Sequence, residues 1–202
     1  MKFLLLTLTL LTSFLNAFEY SSIHDETYWF IDDQNVLDGY HIGTVRSDLV
    51  WGDTMKFLID EKDCNDVPLL TFVFSTMNTV DMKAADKSFN VKDYVDKKVT
   101  FDIEFDTGYQ ESITADIWSI NSGNPTLSLF IFMIPNMPKF FITSDPEGKV
   151  FNQFMSLSVS KNDPLAYLFD MPKRSYRMGG LVPVWIASHQ NCLNSVSGVS
   201  ND

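Results

Sequence analysis

VTFDIEFDTG, residues 99–108, decides how the chain is read. Phe101, Ile103 and Phe105 alternate with Asp102, Glu104 and Asp106, and a two-residue period is the pleat of a strand with one face in an apolar core. In an antiparallel sheet the other face meets water, so the three carboxylates point outward and form a solvated face. The competing reading is a cation site. Calcium takes about six to eight oxygens from a turning loop, and a straight strand does not converge alternate side chains on one point. The turn Asp106-Thr107-Gly108 adds oxygens, which keeps Asp102, Glu104 and Asp106 as weak metal candidates. No cofactor is implied.

The same period runs outward from this stretch. It predicts strands at 29–31, 40–45, 55–59, 69–75, 98–105, 111–120, 127–134, 140–143, 151–160 and 166–170. Turn residues separate them: Asp38-Gly39, Thr107-Gly108, the run 121–125, the Pro135-Asn136-Met137-Pro138 turn, the run 145–148 and Asn162-Asp163-Pro164. Such spacing predicts a mainly β, single-domain antiparallel β-sandwich or curved barrel. Residues 80–90 read as a short helix or polar loop. Residues 180–192, GLVPVWIASHQNC, read as a C-terminal α-helix, with Pro183 in the first turn, where its missing N–H is no loss. Leu181, Trp185, Ser188 and Cys192 share one face of that helix, with Val182, Ile186 and His189 beside it. The segment from about 193 onward is small and polar and reads as a flexible tail.

The N-terminus MKFLLLTLTLLTSFLNA has a basic start, an apolar run and a small residue at Ala17, the pattern of a secretory signal peptide with cleavage after Ala17. The run is too short for a comfortable bilayer crossing, and no transmembrane segment is expected after cleavage. The domain then spans 18–202, and its compartment is periplasmic or extracellular. Of the 15 basic residues Lys2 leaves with the leader, so 14 face 26 acidic ones, a net −12. A chain so acidic, with its basic residues scattered, lacks the footprint that phosphate backbones require, which excludes nucleic acid as a natural partner. The cluster Lys173, Arg174, Arg177 reads as a solvated turn before the final helix.

In an exported chain the two cysteines, Cys64 and Cys192, are most simply a disulfide. That pairing removes a thiol nucleophile and a thiolate zinc site from consideration. The elbow G-x-S-x-G, H-E-x-x-H, a P-loop and G-x-G-x-x-G after a strand are all missing. His24-Asp25-Glu26 and Asp32-Asp33 flank Tyr28-Trp29-Phe30 and read as a polar arm on an aromatic anchor rather than an acid/base cluster. His41 and His189 read as structural histidines. Residues 127–142, LSLFIFMIPNMPKFFI, carry too few polar residues for an ordinary half-exposed hairpin. They lie in the core, or one face meets a partner through Met133, Met137, Phe140 and Phe141.

Trp29, Asp32, Cys64, Gly180, Leu181 and Cys192 occur in that order, with strand-like sequence between them. In this the chain resembles small exported bacterial β-domains of the invasion-associated locus B and type VI secretion-associated kind. The resemblance implies a periplasmic, disulfide-closed β-domain that acts through protein contacts, and it supplies no catalytic motif. Pro183 and the long acidic insertions depart from that pattern. The expected function is an exported non-enzymatic binding or accessory protein with a protein partner. The alternatives are a secreted hydrolase acting on a saccharide through dispersed Asp/Glu carboxylates, and a calcium-dependent adhesin.

Overall fold

A computed structural model describes residues 28–31, 39–50, 52–66, 68–135 and 154–197. Nine strands form one antiparallel sheet: β1 (Trp29–Ile31), β2 (Tyr40–Arg46), β3 (Thr54–Asp60), β4 (Leu69–Thr76), β5 (Lys98–Phe105), β6 (Gln110–Asn121), β7 (Ser128–Ile134), β8 (Phe154–Val159) and β9 (Lys173–Arg177). Two helices accompany them, α1 (Asn78–Ala85) and α2 (Leu181–Ser197). The spatial order is β1-β2-β3-β4-β7-β6-β5-β8-β9. The sheet curls into a nearly closed barrel because β1 and β9 share one edge of β2. Trp29 pairs with Val45, and Ser47, the residue that follows β2, bridges to Tyr176. The Asp48 N–H donates to the Ser175 carbonyl at 2.8 Å, and the Tyr28 N–H to the Gly179 carbonyl at 3.2 Å.

The stretch 99–108 behaves as its period dictates. Val99, Phe101, Ile103 and Phe105 are buried, while Asp102 and Glu104 are exposed. Across the barrel the inward rings of Phe72, Phe74, Phe101 and Phe132 pack edge to face or stacked with centroids 4.8–6.1 Å apart. Phe130 and Phe169 close on the same cluster. Rings of this size fill the interior, so the barrel's own centre is core and not a ligand chamber. In 127–134 the alternate residues Phe130, Phe132 and Ile134 are core, whereas Leu129, Ile131 and Met133 are half-buried on the outer face.

Two expectations fail between residues 166 and 177. The 166–170 strand is a single 3-10 turn, Ala166–Leu168. The solvated turn at 173–177 is strand β9, whose Arg174 and Tyr176 are fully buried. Charge on Lys173, Arg174 and Arg177 argues for water in sequence, yet Arg174 meets a carboxylate, Asp53, that is itself fully buried. A paired and hydrogen-bonded charge can stay inside, and only the tertiary pairing makes that visible.

Helix α2 covers the inner face of β1–β3 at the barrel's mouth. Trp185 lies against Phe57, which stacks on Trp29. Phe57 occupies the space over Gly43 in the neighbouring strand, where a Cβ would stand 2.1 Å from its ring. Any larger residue at 43 would push that ring off the helix. Leu181, Val184, Ser188 and Cys192 are buried beneath α2, and Cys192 is joined to Cys64. The helix continues through 193–197, residues that sequence alone assigns to a tail. Ser195 holds this last part down through His41, at 3.2 Å.

Candidate functional site

The carboxylate stripe on β5 is an open, solvated surface. Ser112 Oγ donates to Asp102 at 2.8 Å and Gln110 Nε2 to Glu104 at 3.2 Å. Both donors come from β6, directly across from their acceptors. With Glu111 and Ser158 these residues line a shallow concavity of about 350 Å³, and Asp106, at the turn, is not part of it. Among the described residues no group of three or more His, Cys, Asp or Glu is placed to hold a metal ion. Asp102→Asn and Glu104→Gln should therefore shift Tm by no more than about 2 °C in a thermal melt, because each side chain's partner is an exposed polar group.

His41 gives a closer imitation of catalytic geometry. Its Nε2 lies 3.1 Å from Glu61 Oε1 and 3.2 Å from Ser195 Oγ. A Ser-His-acid relay needs the acid on one ring nitrogen and the serine on the other. Here both partners meet the same nitrogen, and Ser195 spends its proton on the Cys192 carbonyl, 2.8 Å away. The trio is a clamp between β2, the turn after β3 and the end of α2. His24, Asp25, Glu26, Asp32 and Asp33 lie outside the described residues, as do Met137, Phe140 and Phe141. Met133, the remaining partner-binding candidate, faces Thr71 and Asp116 across the outer sheet and is half-buried.

The surface with the most distinct chemistry is α2. Its 17 residues contain no Asp, Glu, Lys or Arg, although the whole chain carries a net charge of −11. Beside the buried row runs a second row at alternating spacings of four and three: Val182, Ile186, His189, Leu193 and Val196. That spacing is the seam along which another helix packs knobs into holes. Ile186 is 60% and Val196 65% exposed. Next to the row a groove of about 340 Å³ opens between the helix and the turn after β3, lined by Ile59, Val182, Trp185, Ile186 and His189, with Asn65 and Asp66 at its rim. The turn that forms that rim carries Asp60, Glu61, Asp63 and Asp66 against Lys62 alone.

Sequence alone places Val182, Ile186 and His189 beside the buried face, so the row itself is legible there. What it lacks is the width of the buried stripe: Leu193 of the second row still packs on the core, while Val182, Ile186 and Val196 stay exposed. No protein-family model, curated protein or solved structure matches the chain. Among the described residues no helix is long and apolar enough to cross a membrane.

Proposed function

We propose that this is an exported, non-enzymatic accessory protein that holds a protein partner along the outer row of α2. The observation that carries this reading is the uncharged helix, with Val182, Ile186 and Val196 of its four-three row exposed and a groove adjoining them. Solvent-facing helices normally alternate apolar and charged faces. Depletion of charge around an aromatic residue, here Trp185 beside Ile186 in the groove, is the composition of an interface centre. The occupant is an amphipathic helix whose apolar stripe follows the same spacing and whose flanks are Lys or Arg. Basic flanks meet the acidic rim at 60–66, whereas a second copy of this chain would bring another acidic rim and another net −11. The resemblance to disulfide-closed exported domains agrees with this reading.

The test is a photo-crosslinker at position 186, compared with one at position 102, in cells that export the protein. The expected result is a discrete adduct to one other protein from 186 and none from 102, lost in the Val182→Glu variant. A synthetic helix with Leu at four-three spacing and Lys flanks should bind the purified protein, and its Glu-flanked counterpart should not. Ile186→Glu should weaken that peptide at least about tenfold while leaving Tm within about 2 °C, since the side chain already faces water. Equal adducts from both positions, or self-adducts alone, would sink the proposal.

A further inference from the structure

A pocket of about 520 Å³ lies between α1, the 3-10 turn Val91–Tyr94 and the β6–β7 loop. None of its lining residues belongs to α2, so it is a site separate from the proposed docking row. Its wall consists of Thr79, Val80, Lys83, Phe89, Asn90, Val91, Lys92, Ser122, Asn124, Pro125 and Ser128, but a few polar groups set its chemistry. No acidic residue is among them. Neither Lys83 nor Lys92 has an ion-pair partner among the described residues. The nearby carboxylates are engaged elsewhere: Asp86 accepts from Ser88 at 2.7 and 2.9 Å, and Asp93 from Asn90 Nδ2 at 2.7 Å.

The remaining polar side chains all carry donors, the hydroxyls accepting as well. Asn90 Oδ1 accepts the Lys92 N–H, and Asn124 Oδ1 accepts from Thr126, so both amide oxygens are taken by their own loops. Asn124 Nδ2 and Ser122 Oγ, both on exposed side chains, have no protein partner among the described residues. At the buried floor Thr79 Oγ1 donates to Ser128 Oγ at 2.9 Å. Two hydroxyls carry two protons, and this bond uses one. The second has no protein acceptor among the described residues, although both side chains are 3% exposed. Each hydroxyl has one partner, and the polar floor they form suits a guest that accepts hydrogen bonds.

We infer that this pocket binds an acidic saccharide, a sugar ring bearing a carboxylate or a phosphate. Lys83 and Lys92 take the anion, Asn124, Ser122 and the Thr79–Ser128 pair donate to ring hydroxyls, and Phe89 with Val91 supplies the apolar wall for the C–H face. The volume suits a mono- or disaccharide, at the lower end of ligand pockets generally. The net charge of −11 repels anions at long range, but charges beyond roughly 8 Å are screened at physiological ionic strength, so the two lysines decide the bound state. The lining has no carboxylate, histidine or cysteine, and the site binds without cleaving.

Isothermal titration of the disulfide-bonded protein tests this, with glucuronate, glucose 6-phosphate, glucose and inorganic phosphate as separate titrants. At least one of the two sugar acids should bind with Kd at or below about 1 mM, and glucose should bind more weakly than about 10 mM. The stronger of the two acids identifies the anion. Lys83→Gln/Lys92→Gln should weaken it about tenfold or more, with Ile186→Glu unchanged in affinity. Both lysines are exposed, so the fold survives the change, and each single variant should show a smaller loss. Absence of binding by either sugar acid at about 10 mM overturns the inference, as does binding indifferent to the lysines or matched by inorganic phosphate alone.

Discussion

Replacing Arg174 by methionine should cost about 3–5 kcal/mol of folding free energy, the largest effect expected from a single side chain here. Arg174 and Asp53 are both 0% exposed, and the guanidinium Nε is bonded to Asp53 Oδ2. Asp53 also accepts the Ser75 N–H with both oxygens, at 3.0 and 3.1 Å. The guanidinium in turn donates to the carbonyls of Ser75, Lys173 and Met171 and lies 4.2 Å from the Phe74 ring centre. One ion pair thus ties the turn before β3 to β4 and β9, the strand that completes the barrel. Methionine fills the volume but leaves a buried carboxylate with no cation. Urea unfolding of Arg174→Met, of Asp53→Leu and of the double variant would measure the coupling. The double variant should recover part of the loss and not all, because the carbonyls and the Ser75 N–H still lack partners. A single-variant loss under about 1 kcal/mol would mean that the pair is not what closes the barrel.

Removing the disulfide should be the second large effect. Cys64 and Cys192 close a loop with a sequence separation of 128, for which chain entropy alone gives about 5 kcal/mol. Measured losses for native bridges run about 2–5 kcal/mol. For a domain of this size that corresponds to a fall in Tm of roughly 5–20 °C for Cys64→Ala/Cys192→Ala. Alanine is preferable to serine because Cys192 is fully buried and a serine hydroxyl there would need an acceptor. The loss should be concentrated in α2. Its other anchors are Leu181, Val184 and Trp185 at one end and the His41–Ser195 contact at the other, while the barrel's ladders do not pass through it. Hydrogen exchange should therefore show α2 exchanging far faster in the variant, with β5 and β6 still protected. Uniform loss of protection across the strands would show that helix and barrel unfold as one unit.

The helix is also where docking and stability meet. Its buried row is fixed by the disulfide and its outer row is the seam proposed for the partner, so on that proposal reduction should weaken partner binding as well as stability. The lysine pocket draws on none of these residues and should keep its ligand preference whenever the barrel is folded.

Much of the barrel was legible in the sequence, because half-burial imposes a period of two. Phe101-Asp102-Ile103-Glu104-Phe105 states which face is wet without reference to any other strand. The β5 bounds were predicted residue for residue, and seven further strands to within a few residues at either end. The C-terminal helix was legible from Gly180, Pro183 and the spacing of Leu181, Trp185, Ser188 and Cys192. Its partnering with Cys64 followed from there being two cysteines in a chain whose N-terminus reads as a secretory leader. What local sequence could not contain is any property set by a residue far along the chain. Arg174 looks like surface until Asp53, more than a hundred residues earlier, is brought to it. Lys83, Lys92 and Asn124 share no motif, and only the pairing of β4 with β7, Thr76 opposite Ser128, brings α1 beside the β6–β7 loop. The period of a strand is a local property that each residue carries in its own polarity. Pairing of charges, exposure of the outer row of α2 and convergence of donors in a pocket depend on distances through space, and those were decided by the tertiary structure alone.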